Sequence, residues 1–345
     1  MIQHPIGALL NKGVAEGVYP GVALLAAQGG VVRLFEAVGK RTLVPHPLPM
    51  EKETLFDLAS LTKPLGTTLA MMKLVDSGRI ELDRPLQTLF SHAVPEDKRG
   101  ITPRLLLTHS AGLADWMPFY LELDQVAPKD RKAALRNQLL TLSLAYAPSK
   151  NALYSDLGFM LLEWIIEETV GMDLSRFLEQ EFYAPLSLKD IGLFSAMLPG
   201  RFTLDRFAAS EDCPWRKRII QGAVHDENAY VLGGYSGHAG LFGTAAEVYA
   251  LADLLRRHWR GERSDYLKAE TVRAFFTRQD IVKGSTWALG WDTPSPANSS
   301  AGSYFSKTSV GHLGFTGTSL WMDLKQDVIV ILLTNRIHPT RKNEK

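Results

Sequence analysis

Two apolar runs near the N-terminus, Val22 to Ala27 and Val31 to Val38, are separated by Gly29-Gly30. Such a pattern predicts a β-hairpin. Residues 6–18 carry apolar positions that predict a short amphipathic helix before it. After it, Leu65, Leu69, Met72, Leu74 and Val75 recur at helical spacing, with Gly78 placed as a stop. Thr102 to Leu113 reads as a helix with Pro103 in its first turn and a glycine stop. Leu157 to Val170 is a long helix closed by Gly171, and Ala245 to Trp259 is another, capped by Thr244. Near residue 285 the pattern changes. Trp287 to Trp291, Ser309 to Phe315, Thr318 to Asp323 and Val328 to Thr334 read as strands rich in β-branched and aromatic residues.

Strands at both ends with helices between predict an α+β fold. The simplest closure is an antiparallel sheet built from the N- and C-terminal strands, flanked by helices, with a large, mostly helical insertion. On that reading residues 1–75 and 285–345 form the sheet domain and residues 76–284 the helical domain, with the active site at their interface.

The 345 residues are 46% hydrophobic and 22% charged with a net charge of +1, enough apolar content for a sizeable core. No strong basic run precedes the C-terminus, so a nucleic-acid partner is not expected. No stretch is long and apolar enough to span a bilayer. The segment Met1 to Leu10 lacks the basic start and apolar core of a secretory signal, which gives the expectation of a cytoplasmic protein. Cys213 is the only cysteine, so an intrachain disulfide and a cysteine-based zinc site are both excluded. The histidines His109, His225, His238 and His312 lack the tight local spacing of a metal motif. Neither a metal nor a cofactor is expected.

The stretch with chemical promise is Phe56-Asp57-Leu58-Ala59-Ser60-Leu61-Thr62-Lys63-Pro64. On a helix, Ser60 and Lys63 share a face. A serine hydroxyl becomes an effective nucleophile when a neighbouring base takes its proton. Lysine serves as that base if burial lowers its pKa, and Phe56, Leu58 and Leu61 offer such burial. A helix start also leaves backbone N–H groups free to stabilise an oxyanion.

Two more segments complete a pattern: Leu153-Tyr154-Ser155-Asp156-Leu157 before a helix, and Val310-Gly311-His312-Leu313-Gly314-Phe315 on a strand. With Ser60-x-x-Lys63, and in this order, they resemble the serine β-lactamases and penicillin-binding proteins, in the class C-like branch with its esterases and peptidases. Leu107 to Leu113, Gly237 to Phe242 and Leu333-Thr334-Asn335-Arg336 are also typical of that branch, so the resemblance covers nearly the whole chain.

The resemblance implies a serine hydrolase that cleaves an ester or amide through an acyl-enzyme on Ser60. Lys63 and Tyr154 would share the proton, and the N–H groups of Ser60 and Phe315 would form the oxyanion hole. Asp156, His312 and Gly314 would contact substrate, Gly314 by letting it lie against the strand. Alternation would turn Leu313 into the core. The substrate would be a small ester, an amide or a muropeptide. Alternatives are a peptidoglycan-fragment amidase or D-amino-acid peptidase, a true β-lactamase, and a penicillin-recognising protein without turnover.

Two departures from the family pattern stand out. Asp156 replaces the usual asparagine, and reads as a partner of Lys63, a substrate acceptor, or an N-cap of the following helix. His312 stands where β-lactamases usually have lysine. Expected to titrate near pH ~6.5, it weakens the fixed cation for a β-lactam carboxylate. Trp116, Phe119, Tyr120, Tyr230 and Tyr235 are candidates for cleft walls or for core packing.

Overall fold

The computed structural model describes residues 5–193 and 201–345. Helix α1 (Pro5–Ala15) leads into the hairpin of β1 (Gly21–Gln28) and β2 (Val31–Thr42), followed by the short strand β3 (Leu48–Pro49). The C-terminal part supplies β4 (Val310–Gly314), β5 (Thr318–Asp323) and β6 (Val328–Thr334). Together they form one six-stranded antiparallel sheet in the order β3-β2-β1-β6-β5-β4. The α+β reading therefore holds: strands from the two ends of the chain close one sheet, and most of the helices lie between them.

Register explains which face carries the core. Ala23, Leu25 and Ala27 on β1 pair with Leu333, Ile331 and Ile329 on β6, and all six are buried. The alternate residues Leu24, Ala26, Val330 and Leu332 on the other face are only half-buried. A slip of one residue would exchange the two sets, so the apolar alternation pins the pairing.

Four helices set the site. The segment Ala59–Leu61 is a single 3₁₀ turn, which passes through a π-helical stretch, Lys63–Thr68, into α2 (Leu69–Asp76). Helix α3 (Pro103–Leu107) has Thr102 as its cap, with the hydroxyl accepting from the Leu105 N–H at 3.3 Å. It ends well before the expected glycine stop, because His109 takes a positive φ of 55°. The long α4 (Asp156–Val170) is buried over most of its length, as its continuous apolar sequence requires. Helix α5 (Ala245–Arg260) is amphipathic, capped by Thr244 on the Glu247 N–H, and packs on β1 and β6.

One expected strand is absent. Trp287 to Trp291 is an irregular turn held by the bridge Trp287–Asp292, with Gly290 at a positive φ of 76°. Its apolar run is buried at Ala288, Leu289 and Trp291, so burial produced the strand-like sequence without a ladder. A small second sheet pairs Phe56–Asp57 with Leu241–Gly243, and that strand with Ile191–Leu193. It fixes the stretch before Ser60 against the glycine-rich loop that carries His238. No helix among the described residues is long and apolar enough to cross a membrane.

Candidate active site

The turn that carries Ser60 is assembled from both halves of the sequence. Ala59 holds a positive φ of 47°, a region that costs a non-glycine residue about 1–3 kcal/mol. The buried Asp57 carboxylate sustains it. One oxygen accepts from the Ala59 N–H at 2.9 Å and the other from the His225 N–H at 2.6 Å. From the sheet, the Thr316 hydroxyl donates to the Asp57 carbonyl at 2.8 Å and the Thr318 hydroxyl to the Leu58 carbonyl at 3.0 Å. Thr62 ties the turn's other side, donating to the Ala59 carbonyl at 2.6 Å and accepting from the Leu241 N–H at 3.0 Å. Edge strand β4 thus lies directly on the turn.

That packing gives Gly314 a reason other than substrate access. A Cβ there would stand 2.0 Å from the Thr318 hydroxyl oxygen and 2.6 Å from the Leu58 carbonyl oxygen. The glycine lets the strand meet the turn, a packing role that stands beside the expected one of letting substrate lie against the strand. Leu313 is likewise not a core residue: it is 46% exposed and lines the pocket. Beyond Gly311, whose backbone pairs with Asp292, no strand among the described residues covers this edge.

Lys63 is completely buried beneath Ser60. Its Nζ lies 3.0 Å from Ser60 Oγ, 2.7 Å from Asp156 Oδ1 and 3.2 Å from the His238 carbonyl oxygen. The Tyr154 ring lies against Lys63, whose Nζ stands 4.8 Å from the ring centre, and Tyr154 lines the same cavity as Ser60. Burial pulls the lysine pKa down, but the Asp156 carboxylate and Tyr154 outweigh it, and Lys63 stands above an ordinary lysine. The burial expected from the apolar flanks is present, but the Asp156 carboxylate keeps the lysine's charge in place. Tyr154 is also raised, by burial first, against the pull of Lys63 and with Asp156 pushing the same way. At rest the site holds a lysine cation and a neutral tyrosine.

Asp156 is not the cap of its helix. Ser155 caps α4, its hydroxyl accepting from the Gly158 N–H at 3.3 Å and donating to the Ala114 carbonyl at 2.6 Å. Asp156 follows as the first helical residue, which points its carboxylate at Lys63. Behind it, His238 Nε2 lies 2.9 Å from Asp226 Oδ1. Burial lowers the His238 pKa, yet Asp226 and Asp156 raise it more, and the ring stands above an ordinary histidine. Asp226 is held down to about 2, mainly by His238 against burial. Asp156, Asp226 and His238 offer ligand atoms within 4.8 Å of one another. Asp156 pairs with the Lys63 ammonium and Asp226 with the His238 ring, so the cluster reads as an ion-pair network.

His312 is buried, with its Nδ1 at 2.7 Å from the Leu313 carbonyl oxygen. Burial, then Lys63, lowers its pKa to about 3. It is neutral throughout the working range, not the near-neutral switch expected from its type. His109 sits 4.7 Å from the Tyr154 ring and 4.4 Å from the Trp287 ring, and accepts from the Ser155 N–H at 3.0 Å. It too is held well below ordinary histidine, by burial and by Lys63. The irregular turn at Trp287 thus stacks an indole along Tyr154, with ring centroids 5.7 Å apart.

These groups surround a cavity of about 720 Å³, within the range of small-molecule sites. Ser60, Tyr154, Asp156, His312, Gly314 and Phe315 all line it, with Trp116 and Trp287 as walls. Lys63 lies under its floor. Among the described residues, the N–H groups of Ser60 and Phe315 have no hydrogen-bond acceptor. Of the other aromatics, Phe119 is core, Tyr120 and Tyr230 pack around Trp215, and Tyr235 stacks under Lys132. Asp57, His238, His109 and Trp287 carried no assigned role in the sequence, whereas the segment His225 to Ala229 reads there as a candidate pocket wall, and His225, Asp226 and Glu227 line the cavity. Asp57 lies inside the nucleophile stretch, but its partner His225 is remote, and only the fold joins them.

The β-lactamase family model, described as "Beta-lactamase", matches residues 6–345. A protein of Salmonella paratyphi A (strain ATCC 9150 / SARB42), named "Putative D-alanyl-D-alanine carboxypeptidase", is 31% identical over 372 residues, covering 99% of this chain and 84% of the relative. Its counterpart in Salmonella enteritidis PT4 (strain P125109) is 32% identical over 374 residues, with the same coverage of 99% and 84%. Among solved structures, "EstCE1, a hydrolase with promiscuous acyltransferase activity" superposes with a TM-score of 0.75 at 22% identity, covering 96% of this chain and 92% of that one. The structure of SurE gives 0.72 at 22% identity, covering 96% and 71%. At these identities the solved structures speak for the fold.

Proposed function

The chain belongs to the β-lactamase family of hydrolases, and from that premise we propose that it cleaves an ester or amide through an acyl-enzyme on Ser60. The observation that carries this reading is the pairing of Ser60 Oγ with a buried Lys63 Nζ at 3.0 Å on the floor of an open cavity. In the proposed first step, Ser60 Oγ bonds to the acyl carbon, and its proton passes to the Tyr154 oxygen in concert with departure of the phenol's own proton. The Tyr154 proton moves on to the leaving group as the ester or amide bond breaks. The Lys63 cation favours the transient phenolate character this relay requires. The unpartnered N–H groups of Ser60 and Phe315 hold the oxyanion, a donor of that kind being worth about 2.7–4 kcal/mol of barrier. Water then attacks the acyl-enzyme by the reverse relay, with Ser60 leaving.

A second reading takes a peptidoglycan fragment or D-amino-acid peptide as substrate, and the names of the Salmonella relatives favour it. A dedicated β-lactamase is disfavoured, because His312 provides no cation for a β-lactam carboxylate. The test is covalent labelling with a fluorophosphonate and with penicillin, read by intact mass, in wild type and Ser60→Ala. A panel of p-nitrophenyl acetate, a D-alanyl-D-alanine peptide, muropeptides and nitrocefin follows. Labelling lost in Ser60→Ala with turnover of the ester or peptide supports the proposal. An unlabelled, inactive wild type supports a binding protein instead and sinks it.

A further inference from the structure

Two buried histidines flank Tyr154, and their hydrogen bonds fix opposite tautomers. His109 Nδ1 accepts from the Ser155 N–H, so its proton sits on Nε2. That ring is tucked between Tyr154 and Trp287, away from the cavity lining. His312 is reversed. Its Nδ1 faces the Leu313 carbonyl oxygen at 2.7 Å, and a carbonyl only accepts, so Nδ1 carries the proton. Its Nε2 is then a bare lone pair. That atom is buried without a partner among the described residues, the residue is 4% exposed, and it lines the cavity that holds Ser60.

A second proton on Nε2 would create an N–H with no acceptor, beside an ammonium. The groups that face His312 are Lys63 from the nucleophile turn, Tyr154 and Asp156 from the start of α4, and His109 from the segment after α3. Asp292, whose backbone pairs with Gly311, turns its carboxylate to Thr286 and to its neighbour's N–H. A buried acceptor left unmatched is unfavourable, and a substrate that supplies a donor removes that deficit. A carboxylate at the same place would set lone pair against lone pair.

We propose that His312 recognises substrate through the Nε2 lone pair, so that the site selects esters or amides carrying a neutral hydrogen-bond donor, an amide N–H or a hydroxyl, on the part that lies along β4. This rests on the acyl-enzyme reading above and narrows it to a substrate class. His312 is a specificity residue and takes no part in bond breaking.

The experiment compares kcat/KM for matched esters: p-nitrophenyl N-acetylglycinate against its N-methyl analogue, p-nitrophenyl glycolate against its O-methyl ether, and mono-p-nitrophenyl succinate as the anionic arm. Wild type is expected to favour a donor over its methylated partner by about 10- to 100-fold, and whichever pair shows it identifies the donor. The ratio should fall to about one in His312→Leu and survive in part in His312→Gln, whose side-chain oxygen still accepts. The succinate ester should gain nothing as pH falls from about 8 to 5 in wild type, and should gain in His312→Lys. Imidazole ¹⁵N spectra of wild type should show the Nδ1–H tautomer across that range, a readout independent of whether His312→Leu folds. Fluorophosphonate labelling of Ser60 runs in parallel. Failure to label wild type removes the acyl-enzyme reading and this proposal with it. Normal labelling with a wild-type ratio near one, a ratio unchanged in folded His312→Leu, or a charged ring above about pH 6 overturns the role of His312 alone.

Discussion

Replacing Asp156 by asparagine tests the electrostatic logic of the site most directly. Asp156 Oδ1 lies 2.7 Å from Lys63 Nζ, and the lysine is fully buried. At an effective dielectric near 20 that separation corresponds to roughly 6 kcal/mol of attraction before desolvation. Burial opposes the charge and the carboxylate restores it, which leaves Lys63 above its ordinary pKa. With the carboxylate removed, burial is the larger influence and the lysine pKa drops below ordinary. The sign follows by linkage. In wild type the raised lysine contributes stability that is fully present below the unfolded pKa and lost only as pH climbs through the folded one. In Asp156→Asn the folded pKa is the lower of the two. The unfolded chain then binds the extra proton between them, and stability should rise with pH across that window. At neutral pH the loss is capped at the ~3–5 kcal/mol typical of breaking a buried pair, and is smaller because the amine can shed its proton. The proposed relay needs the Lys63 cation, so the alkaline limb of kcat/KM should move to lower pH. The assay is p-nitrophenyl acetate turnover from about pH 5 to 10, with melting temperatures at each pH, for wild type, Asp156→Asn and Asp156→Ala. Superimposable pH profiles and equal melting temperatures in all three would refute the argument that this ion pair sets the charge of Lys63.

Ser60→Ala and Lys63→Ala should each cut turnover by at least about a thousandfold, with the double variant little worse than either, because the pair acts as a unit; near-wild-type turnover in folded Ser60→Ala would end the mechanism. Gly314→Ala should cost about 1–3 kcal/mol and weaken fluorophosphonate labelling, since its Cβ meets Thr318 and the Leu58 carbonyl; a thermal melt equal to wild type would show that β4 is not locked to the turn. Asp57→Ala orphans the buried N–H groups of Ala59 and His225, and should destabilise by about 1–3 kcal/mol per lost partner while slowing labelling of Ser60. Glu163 accepts from the Ser236 hydroxyl at 2.7 Å and the Gly237 N–H at 2.8 Å, so Glu163→Ala should loosen the loop that carries His238, read as faster hydrogen exchange at residues 236–239.

What the sequence determined was whatever repeats over a few residues. Alternation over Val22–Ala27 and Val328–Thr334 specified strands with a buried face, and the α+β order followed from where strands and helices fell. The spacing of Ser60 and Lys63 placed both on one side of a tight turn, as the 3.0 Å contact reflects. Thr244 and Gly171 marked their helix ends because caps act over three or four residues. Tertiary structure decided everything that depends on who sits next to whom. Trp287 to Trp291 has a strand's composition, but its burial comes from surrounding elements, so it folds as a turn. Gly314 is required by Thr318 and by Leu58, far away in the chain. The charges of the site were the least legible. Lysine 63 is a cation because Asp156 faces it across the fold, and His312 is neutral because burial and that same cation exclude a second proton. A residue's type supplies its proton-binding group, but desolvation and neighbouring charge set where it titrates, and both are properties of the packed chain.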